Sequence, residues 1–225
     1  MSASEVAVVT IKLVSIGTLG YFAAQAFGGS SRKPKPKPTP TPTPDPGTGG
    51  VDVRPRELDD FGVPFARGSA DPLWPLADAS ARRVTADFGD PRPYGAASPE
   101  RHHAGEDLRA PAGTTIVATE RGTVTAIDEA WYEGTGALLV YFDSGITANF
   151  GEVEPSSPLD LGLAVGTVVE RGQPIARVGR TAQLHFELYN GRLKRTHQWP
   201  WLGEAPAELL DPTQYLELAA KSVPA

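Results

Sequence analysis

Between residues 81 and 190 the chain holds seven short β-type runs, each ended before it reaches helical length. They are Thr114–Thr119, Thr123–Ile127, Ala137–Phe142, Ile146–Phe150, Thr167–Val169, Pro174–Val178 and Leu184–Leu188. Runs of three to six residues rich in β-branched and apolar side chains, punctuated by glycine, pair as compact strands. The pattern predicts an all-β domain, an antiparallel β-sandwich or barrel. Helix is expected only near the C-terminus. There Asp211 can cap, Pro212 fits a first turn, and Tyr215, Leu216 and Leu218 are expected to dock on the core.

The 225 residues suffice for one such domain with appendages. The first appendage is residues 1–31, in which 6–28 carry a single charge, Lys12. Read as a membrane anchor, this stretch has about the ~20 residues a bilayer requires. Read as a signal peptide, it offers Ala24-Gln25-Ala26 as an A-x-A cleavage site. Arg32, Lys33, Lys35 and Lys37 directly behind the span oppose a simple anchor, and Glu5 in a long n-region opposes cleavage. A buried core helix is the third reading, opposed by the proline tract that follows. The first two readings both place the remainder of the chain in the cell envelope.

Residues 32–50 alternate proline with lysine or threonine. Proline at every second position fixes φ and removes donors, so a polyproline II rod is expected. Pro34 to Pro46 would span roughly 40 Å. The plain reading is a solvated spacer, whose lysines can also meet anionic wall polymers or lipid head groups. Residues 51–80 read as an irregular lead-in, and 81–225 as the folded domain.

Charge and cysteine usage exclude several function classes. Of 21 basic and 27 acidic groups, residues 1–50 hold five and two, which leaves 16 against 25 for the rest. A domain that acidic is a poor partner for nucleic-acid phosphates, and none is expected. With no cysteine there is no disulfide, thiolate metal site or lipid-modified cysteine.

Four histidines remain as candidates for chemistry: His102, His103, His185 and His197. The segment RHHAGEDL gives His103-x-x-x-Asp107. In QLHFEL, strand alternation puts Gln183, His185 and Glu187 on one face. Two imidazoles and a carboxylate suit a zinc ion with an open fourth position. Spacing alone equally allows satisfied core or surface histidines.

Four segments carry a resemblance. DFGDPRPYGAASPERHHAGEDLRAPAGTTIVATERGTVTAID resembles the opening of lysostaphin/LytM-type zinc peptidases, where a histidine and an aspartate lead into an APxGTxVxA strand pair. VGTVVERGQPIARVG is similar to the family's glycine-bounded hairpin, LHFELYNG to its closing HLHFE strand, and DPTQYL to its tail. The likeness runs in order over roughly residues 80–217. It implies zinc ligands at His103, Asp107 and His185, and an antiparallel fold with a groove for an extended peptide. It also implies cleavage of the peptide stems or cross-links of bacterial peptidoglycan. His102 is left a supporting or surface role, and His197 none.

The sequence departs from that family in two places. Active members carry two further histidines beside the metal; here Gln183 replaces the first of His-x-His, and Phe150-Gly151-Glu152-Val153 stands where the other is expected. The loop before QLHFEL is also short, Arg180-Thr181-Ala182, which implies a reshaped groove wall. Peptide hydrolysis needs a base. Glutamine cannot accept a proton at neutral pH, whereas glutamate can. The expectation is therefore a zinc metalloendopeptidase with Glu152 as base and Gln183 as a donor to the transition state. Two other functions stay open: an inactive zinc-holding module that binds wall peptides or activates a partner hydrolase, and an envelope protein stiffened by zinc.

Overall fold

The computed structural model describes residues 58–66, 71–77, 83–92, 101–195 and 200–221. The hydrophobic segment 1–31, the proline-rich linker 32–50 and His197 lie outside the described residues. Among these residues no helix is long and apolar enough to cross a membrane.

Every strand–strand ladder among the described residues is antiparallel. In chain order the strands are β1 (Arg83–Ala86), β2 (Arg101–His103), β3 (Glu106–Arg109), β4 (Thr115–Val117), β5 (Gly122–Asp128), β6 (Gly136–Phe142) and β7 (Ile146–Val153). After the one-turn helix α1 (Ser157–Asp160) come β8 (Val168–Val169), β9 (Pro174–Arg177), β10 (Gln183–Asn190), β11 (Pro200–Leu202) and β12 (Leu209–Leu210). Helix α2 (Thr213–Lys221) closes the described chain. The main sheet runs β1-β3-β10-β7-β6-β5-β8, with β12 also on β10; β2 pairs with β11, and β4 with β9.

All seven runs read from the sequence are strands. The ones periodicity missed are β1, β2, β3, β11 and β12, which are two to four residues long and in part charged. Shortness alone does not hide a strand, since β8 has two residues; the missed ones open on a charged residue (β1, β2, β3) or hold no β-branched side chain (β11, β12).

Side-chain alternation gives the main sheet two unlike faces. Leu108 of β3, Leu184, Phe186 and Leu188 of β10, Ala148 and Phe150 of β7, and Leu138, Val140 and Phe142 of β6 join one apolar core. Ile116, Ala118, Ile175 and Ala176 close that core from the β4–β9 ribbon and its ends. Trp74 and Leu76 of the lead-in are buried in it as well. The opposite face is also covered but polar: Asp107, Thr147, Asn149, His185 and Glu187 all lie there, buried. Function is to be sought on that second face.

Helix α2 begins as expected, with the Thr213 backbone N–H donating to Asp211 Oδ1 at 2.9 Å. Tyr215, Leu216 and Ala219 face inward. Leu218 does not dock; it is 42% exposed. At 100° per residue it falls outside the arc that Tyr215, Ala219 and Leu216 define.

Candidate metal centre

The polar face converges on one point. In register, Asp107 of β3 stands opposite His185 of β10, and Gly151 of β7 stands on the other side of His185. His103 reaches the same point from the end of β2, across the turn Ala104-Gly105. That turn passes close against β10: a Cβ on Gly105 would lie 2.3 Å from the Phe186 carbonyl oxygen. Only glycine fits this crossing. Gly105→Ala is expected to destabilise the fold at the upper end of about 1–3 kcal/mol, because backbone must shift. Chemical denaturation checks this, and wild-type stability would show that the turn is not tight.

Three candidate ligand atoms meet. His103 Nε2 lies 3.1 Å from Asp107 Oδ1 and 3.0 Å from His185 Nδ1, and His185 Nδ1 lies 2.9 Å from Asp107 Oδ1. The outer nitrogens are committed elsewhere. His103 Nδ1 is 2.9 Å from the Asp87 carbonyl, which only accepts, so it must carry the proton. His185 Nε2 faces the Glu187 carboxylate at 2.8 Å and must do the same. Lone pairs of two imidazoles and an ionised carboxylate therefore point at one centre, where they repel unless a cation or proton sits among them. Two nitrogens and one oxygen match the donor set of zinc. Asp107 Oδ2 takes a further ion pair from Arg92 at 3.3 Å.

The electrostatics follow from that geometry. Burial pushes His103 below its ordinary value and keeps it neutral. For His185 burial also disfavours charge, but Asp107 and Glu187 outweigh it and push the metal-free imidazole up to about 10. Burial would raise Asp107, yet the bonds from both histidines hold it far below the carboxylate range. One proton, on His185, thus fills the place of a cation. The folded value of His185 exceeds its unfolded value of 6.5, so this stabilisation is complete below pH 6.5 and fades toward about 10. A zinc ion binding here would have to displace that proton. Its affinity is therefore expected to rise about tenfold per pH unit from pH 6.5 to 8.5, read by competition with a chelating dye. A flat profile would contradict the proton's presence.

Beside this centre sits a second pair. Gln183 Nε2 donates to Glu152 Oε1 at 3.1 Å. Glu152 arrives there through a bulge: Ala137 pairs with Gly151, but the next partner, Gly136, pairs with Val153. The skipped residue, Glu152, takes φ +60, a left-handed conformation that glycine prefers. Simple alternation from Phe150 would send residue 152 into the apolar core; the bulge sends Val153 there instead and leaves Glu152 beside Gln183. Its backbone carbonyl accepts from Gly179 N–H at 2.8 Å, and a Cβ on Gly179 would lie 2.6 Å from that oxygen. Burial pushes the Glu152 carboxyl above its ordinary range, and Thr181 and Gln183 offset only part of this.

Trp131, in the β5–β6 loop, was invisible to the motif reading. Its indole lies 5.4 Å from the His185 ring, and a Cβ on Gly151 would be 2.6 Å from it. Gly151 makes room for the indole. The same loop meets the short Arg180-Thr181-Ala182 segment, since a Cβ on Gly134 would sit 3.5 Å from the Arg180 guanidinium carbon. His102 points elsewhere, packing its ring with Phe61 and Trp201 and placing Nδ1 3.1 Å from the Gly89 carbonyl.

Residues 101–197 match the family model of peptidase family M23. The match covers 97 of the chain's 225 residues. Among solved structures, a zinc containing peptidase from Vibrio cholerae is similar at 23% identity and TM-score 0.42, over 59% of this chain and 42% of that one. The catalytic domain of lysostaphin from Staphylococcus simulans is similar at 21% identity and TM-score 0.47, over 62% of this chain and 95% of that one. LytU is similar at 25% identity and TM-score 0.45, over 60% of this chain and 85% of that one. The chain spans less than half of the Vibrio protein and 54% of a longer lysostaphin. No curated protein matches it. Within the matched stretch, His103, Asp107 and His185 are the cluster of metal-binding residue types among the described residues.

Proposed function

We propose that this domain is a zinc metalloendopeptidase that cleaves peptide bonds of bacterial peptidoglycan. The observation that carries this reading is the meeting of His103 Nε2, Asp107 Oδ1 and His185 Nδ1, with the Glu152–Gln183 pair alongside. Zinc, when bound, polarises a peptide carbonyl and acidifies water. The chain's own residues do the rest. His103, Asp107 and His185 hold the ion. Glu152 takes the proton of the attacking water and passes it to the departing amine, a task suited to a carboxyl that burial holds above its ordinary range. Gln183 spends one amide hydrogen on Glu152 and keeps the other for the developing oxyanion.

One feature favours the non-catalytic alternative. The three ligand residues are at most 7% exposed, and Trp131 stands over one of them. A zinc-holding module that binds wall peptides or activates a partner hydrolase would tolerate such closure. Zymography on purified sacculi separates the two. Clearing that a chelator abolishes and zinc restores is expected; zinc-loaded protein that leaves sacculi intact would sink the peptidase reading.

We also propose that the domain works outside the cytoplasm, on the strength of residues 6–28 and the proline tract. Mass spectrometry of the mature N-terminus tests this, separating cleavage after Ala26 from a retained membrane anchor. Full-length chain found only in the cytosol would refute it.

A further inference from the structure

The assignment of Nδ1 as the ligand atom depends on Glu187 facing His185 Nε2, and the sheet carries a device that holds it there. Glu187, two residues on and on the same face, is fully buried. Its Oε2 accepts from Asn149 Nδ2 at 2.7 Å and from the Tyr189 hydroxyl at 2.7 Å. Its Oε1 faces His185 Nε2 at 2.8 Å. Asn149 is the register partner of Glu187 on β7, and Tyr189 is the next residue on the same face of β10. The carboxylate is thus pinned at one oxygen by donors from two strands, and its other oxygen is fixed on the imidazole.

We propose that Asn149, Glu187 and Tyr189 are positioning residues that make Nδ1 the metal-binding atom of His185. A carboxylate held this way only accepts, so Nε2 keeps its hydrogen and the lone pair is confined to Nδ1. Nδ1 is the nitrogen that lies 3.0 Å from His103 Nε2 and 2.9 Å from Asp107 Oδ1. Without the pin, the neutral ring has two tautomers, and one of them points a hydrogen at the place where the ion belongs.

Glu187→Gln tests this with almost no change of shape. The donors of Asn149 and Tyr189 claim the new carbonyl oxygen, which turns the amide N–H₂ toward His185 Nε2. The imidazole then has to accept at Nε2 and carry its hydrogen on Nδ1. Zinc affinity, read by competition with a chelating dye, is expected to fall about ten- to a hundredfold. Thermal unfolding of the zinc-free variant shows whether it folds. Unchanged affinity in a folded Glu187→Gln protein overturns the proposal. Should that variant not fold, the wild type decides. Long-range ¹H–¹⁵N spectra of the zinc-loaded protein are expected to show His185 bound through Nδ1 and protonated at Nε2; binding through Nε2 overturns the proposal. The inference rests on the zinc reading, and the two fail differently: a wild type that takes up no zinc removes both, whereas equal affinity in wild type and Glu187→Gln removes this one alone.

Discussion

Glu152→Gln is expected to lower turnover of peptidoglycan peptides by about a hundred- to ten-thousandfold, the usual worth of a general base. Zinc content should stay at the wild-type level, because Glu152 supplies none of the three converging atoms. Glutamine has the same length, so the bulge that aims residue 152 is retained along with its bond to the Gly179 amide. What disappears is the capacity to take a proton. The side chain can still pair with Gln183, which separates loss of a base from loss of a neighbour. Steady-state kinetics on a soluble wall peptide, with metal content measured in parallel, provide the check. Turnover equal to wild type would remove Glu152 from the mechanism and leave the zinc reading standing.

His185→Ala is expected to have the other large effect, on the metal itself. The substitution removes one of the three atoms proposed to hold the ion and opens a hole in a buried site. Structural zinc sites with four ligands gather about 10–16 kcal/mol, so one ligand is worth about 2.5–4 kcal/mol, on the order of a hundredfold in affinity. Metal-free stability should fall as well. Asp107 loses its shortest contact to an imidazole, 2.9 Å, and Glu187 loses a donor at 2.8 Å. Both carboxylates are buried, and stripping a partner from a buried charge costs about 3–5 kcal/mol. Elemental analysis of purified protein and chemical denaturation after chelation measure the two effects separately. Equal zinc in variant and wild type would end the ligand assignment.

How much of this was legible beforehand differs by element. Long strands announce themselves: β5, β6, β7 and β10 span seven or eight residues each, enough for composition and period to speak. Alternation in QLHFEL placed Gln183, His185 and Glu187 together, and the structure finds Gln183 bonded to Glu152 and Glu187 bonded to His185. The strands that deliver His103 and Asp107 gave no such signal, being three and four residues long with charged members. Those two positions came from the motif resemblance, not from periodicity. Trp131, Asn149 and Tyr189 escaped both routes. Their roles arise from cross-strand register and from the space left at Gly151, and neither is a property of local sequence. Leu218 failed for the opposite reason: apolar character suggested docking, while the angular position on α2 decided against it.

The extra residue in β7 makes the orientation of Glu152 a matter of counting. Strand parity inverts at that single irregularity, so a carboxyl flanked by Phe150 and Val153, both of the hydrophobic interior, ends up on the polar side with Gln183. Shortening β7 by one position upstream of Gly151, with every side chain otherwise kept, would rephase the strand and exchange its two populations. The acid at this locus is therefore specified as much by the spacing of the chain as by the identity of the amino acid.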